Sequence, residues 1–139
     1  MQCIFCKIVK REIDSAKIYE DDDILAFLDV HPFSKGHTLV IPKKHFENIF
    51  DIDKDILQKV IIVTKNISEK IRDSLNADGI RLSQSNGSVA GQEMMHFHLH
   101  VIPRYKDDGL SSNPVTTSHS NLADFEELKK LAEQIKIET

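Results

Sequence analysis

The sequence predicts a single domain of mixed α and β structure, built from five short strands and two amphipathic helices within residues 1–139. Three observations point there. Short runs rich in β-branched and aromatic residues, bounded by turn residues, recur between residues 18 and 41 and again between 80 and 102. From Asp53 to Leu75 apolar residues return every third or fourth position, the stripe of a helix with one buried face. Beyond Tyr105 the chain turns polar and then shows a second stripe of the same kind.

The composition fits a domain that buries a core of its own. A hydrophobic share of 40% and a charged share of 29% belong to the ordinary globular range. A net charge of −4 with scattered basic residues argues against a nucleic-acid surface, although a small anion needs only a local pocket of donors. No apolar run approaches the length of a membrane span, and Met1-Gln2-Cys3-Ile4-Phe5-Cys6 lacks the features of a secretory leader, so a cytoplasmic location is expected.

Taken in order, Cys3 and Cys6 come first. A Cys-x-x-Cys pair in a reducing compartment suggests a metal clip or a redox pair, and as a zinc clip it supplies only half of a tetrahedron. Ile18–Glu20 and Ile24–Leu28 read as a hairpin around Asp21-Asp22-Asp23, followed by Asp29 at the strand end. Residue by residue, Asp29 reads as a turn or capping aspartate; a carboxylate that accepts hydrogen bonds from a sugar diol is the functional alternative. His37–Ile41 forms a third strand ended by Pro42, after which Lys43 and Lys44 read as solvated charge and His45 as a further candidate ligand. The long helix takes Asp53 as N-cap and stops at Asn76-Ala77-Asp78. Ile80–Ser85 is the fourth strand. The loop Asn86–Glu93 follows, with Gly87 and Gly91 allowing close ligand approach and Ser85, Asn86 and Gln92 as candidate phosphate donors. It is not a P-loop, because no Gly-Lys-Ser/Thr follows. Residues 106–114 form a polar loop, His119 reads as incidental, and Leu122–Ile135 forms the second helix, capped by Asn121.

The fifth strand carries the strongest signal. In Met95-His96-Phe97-His98-Leu99-His100-Val101-Ile102 three histidines alternate with apolar residues. An extended chain puts successive side chains on opposite faces, so His96, His98 and His100 share one face while Phe97, Leu99 and Val101 enter the core. Such a row suits either a metal site or a nucleophilic imidazole whose neighbours handle protons and charge. A half-exposed strand that happens to carry histidine is the alternative without chemistry.

The run His96–Ile102 resembles the His-φ-His-φ-His-φ-φ signature (φ apolar) of the histidine triad (HIT) superfamily. Cys3–Ile8, Leu25–Asp29, Gly36–Lys43 and Ala90-Gly91-Gln92 are similar to further blocks of that family, in the same order, so the likeness covers Cys3 to about Tyr105. It is nearest to the Hint-like branch with zinc-ligand cysteines. The resemblance implies an α+β, HIT-like fold: an antiparallel five-stranded sheet with one long and one C-terminal helix, extended to ten strands across a homodimer. Residues about 3–105 would form the domain core and 106–139 a C-terminal loop and helix.

The resemblance also implies roles. His98 would be the nucleophile that attacks the α-phosphorus of a nucleoside 5′-phosphoryl compound, forming a nucleotidyl-histidine that water then hydrolyses. His100 would stabilise phosphate charge, and His37 would lie on the proton path or orient the nucleophile. Gln92, with Ser85 and Asn86, would bind phosphate, and Asp29 the ribose hydroxyls. Cys3, Cys6, His45 and His96 would hold a structural zinc with no open position for catalysis. The chain departs from many relatives at Ser85, and from eukaryotic Hint-like members at Glu93, which adds a carboxylate near the phosphate. The implied activity is cleavage of purine nucleoside phosphoramidates. Dinucleoside polyphosphate hydrolysis, a nucleotide-binding regulatory or adaptor dimer, and a zinc hydrolase using all three triad histidines are the alternatives. Neither a nucleic acid nor a membrane is an expected partner.

Overall fold

Asp21 shapes the first hairpin. Its Oδ1 accepts the backbone N–H groups of Asp23 and Ile24, each at 2.8 Å, which turns the chain between β1 (Lys17–Glu20) and β2 (Ile24–Leu28). The computed structural model describes residues 2–110 and 121–138. With β3 (Thr38–Pro42), β4 (Gly79–Ser83) and β5 (Leu99–Arg104), these strands make one antiparallel sheet in the order β1-β2-β3-β5-β4. The fold is therefore α+β, as the sequence led us to expect.

Every residue of β2 and β3 is buried, because both faces of the sheet centre are covered. Ile24, Ala26, Leu28, Val40, Leu99 and Val101 join one core with the buried stripe of α2 (Lys54–Leu75) and with α3 (Phe125–Ile135). Leu25, Phe27, Leu39 and Ile41 form a smaller cluster on the other face with Phe5 of a short helix, α1 (Ile4–Val9). The sequence reading of residues 3–6 as a bare cysteine pair missed α1. Its apolar residues Ile4, Phe5, Ile8 and Val9 carry helical spacing.

Val60, Val63, Thr64, Ile67 and Ile71 are the buried face of α2, and the helix ends where Asn76 adopts the left-handed conformation (φ 55°, ψ 41°). Asp53 stands at the N-cap position but makes no side-chain capping bond. Gly36, at φ +93°, lets the chain turn into β3 beneath the end of α2. A Cβ there would lie 2.7 Å from Leu75 Cδ1 and 3.2 Å from Pro103 Cγ.

Of the boundaries that differ from the sequence reading, three have a physical reason in hydrogen-bond partners. The C-terminal helix is capped by Asp124, whose Oδ1 accepts from the N–H groups of Glu126 (2.9 Å) and Glu127 (3.4 Å), and not by Asn121. Ala123 N–H is instead bound to the Val30 carbonyl at 2.8 Å, which keeps the preceding residues out of the helix. β5 begins at Leu99, so His96 and His98 lie on an irregular lead-in before the ladder. Pro42 has no N–H to continue β3 pairing, and the Phe97 N–H bonds to the Phe46 carbonyl at 2.7 Å. β4 stops at Ser83, opposite His100, where Gln84 and Asn86 begin to pair with each other. His119 and residues 111–114 of the polar loop lie outside the described residues.

Candidate functional site

The lead-in to β5 brings two clusters together, and the triad histidines divide between them. His96 belongs to the first. Its Nδ1 lies 3.4 Å from Cys3 Sγ, 3.6 Å from Cys6 Sγ and 3.1 Å from His45 Nδ1, and Cys6 Sγ lies 3.4 Å from His45 Nδ1. The four donor atoms all fall within 4.8 Å of one another. A tetrahedral zinc with bonds of about 2.3 Å to sulfur and about 2.0 Å to nitrogen places such atoms roughly 3.3–3.8 Å apart. The donor set therefore fits zinc in both spacing and chemistry.

The remaining hydrogen bond of His96 agrees. Its Nε2–H donates to the Pro42 carbonyl at 2.9 Å, which leaves the Nδ1 lone pair aimed at the cluster. Burial, with the charge of the neighbouring imidazole His45, holds His96 near 4, against the upward pull of the Pro42 carbonyl. Burial and a hydrogen bond to Cys3 push the Cys6 thiol up to about 11; a divalent cation would favour its thiolate instead.

His98, His100 and His37 form the second cluster, and here the backbone fixes which nitrogen carries the proton. His98 Nδ1–H donates to the His96 carbonyl at 2.8 Å, so its Nε2 lone pair is left for the cavity. Phe33 N–H donates to His37 Nδ1 at 3.0 Å, which leaves the proton on His37 Nε2. That Nε2–H donates to His100 Nδ1 at 2.9 Å, and His100 must then carry its own proton on Nε2. The chain of bonds therefore sets an unprotonated nitrogen on His98 beside an N–H donor on His100, with ring centroids 4.9 Å apart.

Burial keeps all three rings neutral. It pulls His37 down to about 3, aided by the charges of His100 and His98, and His100 down to about 4. Burial also lowers His98, against the opposing pull of the His96 carbonyl and of the Glu93 carboxylate. Asp29 Oδ2 stands 3.6 Å from His37 Nε2 while its Oδ1 accepts the His31 N–H at 2.9 Å, and burial raises its pKa.

His98, His100 and Asp29 open onto a cavity of about 480 Å³. Ile4, Phe5 and Ile8 of α1 and Phe27 and Leu39 of the sheet together supply its apolar lining, with Phe5 packed edge-on against Phe27. Ser85 and Glu93 also line it. The loop residues Asn86 and Gln92 do not present their amides there. Gln92 is 3% exposed; its Nε2 donates to the carbonyls of Glu47 (2.7 Å) and Met94 (3.0 Å), and its Oε1 accepts from Gly87 N–H (2.7 Å). Asn86 exchanges two amide bonds of 2.7 Å with Gln84 and accepts the Ile49 N–H. Both residues brace the loop. The N–H groups of Ala90, Gly91 and Gln92 are likewise bound inside it.

Sequence reasoning missed Phe5, Phe33 and Pro42. Phe5 packs its ring on His98, and the two others act through a backbone N–H and a backbone carbonyl that no side-chain motif announces. Lys43, read as solvated, pairs with Glu20 at 2.7 Å. No helix among the described residues is long and apolar enough to cross a membrane.

Comparison with known proteins gives a consistent answer. Residues 10–107 match the HIT domain family. The chain is 41% identical to the protein hit of Bacillus subtilis over 134 residues, covering 96% of this chain and 91% of that one. It superposes on a Hit-like protein of Bartonella henselae with a TM-score of 0.86 at 36% identity, covering 97% of this chain and 95% of that chain. A zinc-bound histidine triad family protein of Mycobacterium smegmatis gives 0.81 at 36% identity, covering 96% and 95%.

Proposed function

The chain belongs to the HIT family, and we propose that it is a nucleotide hydrolase or nucleotidyl transferase working through a covalent nucleotidyl-His98. The observation that carries this reading is the 2.8 Å bond from His98 Nδ1–H to the His96 carbonyl, which leaves a neutral imidazole with a free Nε2 lone pair facing the cavity.

In the proposed reaction Nε2 bonds to the α-phosphorus of a nucleoside 5′-phosphoramidate as the phosphorus–nitrogen bond breaks. The amine departs after taking one proton from solvent. Water then attacks the phosphorus, returns one proton to solvent and releases the nucleoside monophosphate and neutral His98. His100 Nε2–H donates to the phosphoryl oxygens, and His37 holds His100 in the tautomer that can do so. Asp29 accepts the ribose hydroxyls, Ser85 adds a hydroxyl at the phosphate end, and the apolar wall that Ile4, Phe5, Phe27 and Leu39 share takes a purine. Asn86 and Gln92 contribute by bracing the phosphate loop. Glu93 on the rim would disfavour leaving groups that are themselves anionic.

Cys3, Cys6, His45 and His96 would hold a zinc whose four ligands leave no site for water, so its part is structural. A homodimer joined through β4, an edge strand with Leu82 exposed, would complete the ten-stranded sheet. A cytoplasmic setting would suit the paired thiols.

The test is hydrolysis of adenosine 5′-phosphoramidate by wild type and by His98→Ala. We expect the variant to lose at least about 10³-fold in kcat while its circular dichroism is unchanged. A folded wild type that leaves the phosphoramidate intact would overturn the assignment and turn attention to dinucleoside polyphosphates.

A further inference from the structure

His96 is held at three points. Its Nδ1 sits in the cysteine cluster, its Nε2–H is bound to the Pro42 carbonyl at 2.9 Å, and its own carbonyl accepts the His98 Nδ1–H at 2.8 Å. The backbone of one candidate metal ligand is therefore the group that chooses the tautomer of the candidate nucleophile.

A second contact runs in parallel. Phe5, between the two cysteines, meets the His98 ring edge-on at 5.3 Å and 77°, and the His96 ring at 5.8 Å and 80°. It also packs on Phe27 at 5.7 Å, which fixes it against the sheet. Phe5 is the buried residue of α1, a helix of six residues. A helix that short has no stability of its own in water, so its seat depends on what holds its ends. Cys3 is its N-cap and Cys6 lies within it, so the cluster that gathers the two sulfurs also presses Phe5 onto His98.

We propose that metal occupancy of the Cys3–Cys6–His45–His96 cluster sets the reactive orientation of His98, with the His96 carbonyl and the Phe5 ring as the transmitting contacts. The metal activates no water and touches no substrate. Phe5 and His96 are positioning residues. The inference rests on the reading of His98 as nucleophile, but the coupling it asserts is a property of the ring itself.

The experiment uses the full chain with ¹⁵N-labelled histidine, loaded with Zn²⁺, stripped with a chelator, and reloaded. In the loaded protein His98 should show one Nδ1–H tautomer. Stripping should average that signal while the far-ultraviolet dichroism of the sheet persists, with kcat for adenosine 5′-phosphoramidate falling about tenfold, and Zn²⁺ should restore both. Phe5→Leu provides an arm that keeps the metal. At one zinc per chain it should broaden the His98 Nδ1–H signal and lower kcat about tenfold, and Phe5→Tyr should recover most of the loss.

A stripped, folded protein with the His98 signal and kcat of the loaded one overturns the proposal. If stripping unfolds the chain, Phe5→Leu decides, and unchanged His98 resonances with unchanged kcat overturn it. A chain that leaves every phosphoramidate intact while its His98 signal responds to zinc as described would keep the coupling and sink the hydrolase reading.

Discussion

His96 and His98 are two residues apart and present opposite nitrogens. His96 gives its Nε2–H to the Pro42 carbonyl and turns Nδ1 toward two thiols. His98 gives its Nδ1–H to the His96 carbonyl and turns Nε2 toward the cavity. The residue type is the same and so is the local chain; the difference lies in which ring nitrogen a backbone carbonyl has claimed. Residue identity therefore supplies an imidazole, while the backbone around it decides whether that imidazole serves as a ligand or as a nucleophile. The triad histidines do not converge on one metal, which removes the geometric basis for a zinc hydrolase built from all three.

The sharpest way to break this contrast is to remove each ring in turn. His96→Ala should cost on the order of 5 kcal/mol or more of zinc-loaded stability, read as a large fall in the denaturant midpoint, because a closed metal site contributes its binding energy to the fold. His98→Ala should shift that midpoint little. Equal shifts in the two variants would show that the clusters are not separable in this way.

Acid should act next most strongly, through the second cluster. His37 and His100 are held near 3 and 4 in the fold, below their unfolded value of about 6.5. Between these limits the unfolded chain binds more protons, so stability is full above about pH 6.5 and falls as the pH drops toward 4. His37 alone should cost on the order of 3 kcal/mol by pH 4. Urea midpoints of wild type and His37→Asn at pH 7, 5.5 and 4.5 check this: the gap between the two proteins should narrow with acid, and a constant gap would contradict it.

Gly36→Ala tests how the cluster is aimed. The added Cβ meets Leu75 and Pro103 at a backbone angle that alanine resists, one residue before His37, so we expect a loss of about 1–3 kcal/mol in urea unfolding. The smallest effect belongs to the cap of α3, which contributes no side chain to either cluster. Asp124→Ala removes the α3 cap and should cost about 1 kcal/mol without altering either zinc content or turnover. A change in either function would point to the bond from Ala123 N–H to the Val30 carbonyl, next to Asp29, as the route by which α3 reaches the site.

The strands and α2 were legible because alternation and helical spacing are local signals, and the order of the motif blocks made the family legible too. What escaped depended on partners distant in sequence. The Asn121 cap failed because Ala123 is bound to Val30. Gln92 reads as a free donor until Glu47, 45 positions away, is seen to take its amide. The Phe33 N–H that fixes His37 and the Pro42 carbonyl that fixes His96 belong to the backbone, where residue type says nothing. α1 was legible from Ile4, Phe5, Ile8 and Val9, but the cysteines between them suggested chemistry first.

The cysteine cluster also has a meaning for synthesis on the ribosome. Cys3 is made well before its partner His96, which follows 93 residues later. While most of the domain is being translated, α1 has neither a complete ligand set nor a finished sheet on which to dock. The closure of so long a loop comes late, once its ends are already near one another. Until the histidine strand emerges, Cys3 and Cys6 would thus lack part of their ligand set, and metal capture would mark the completion of the cavity wall.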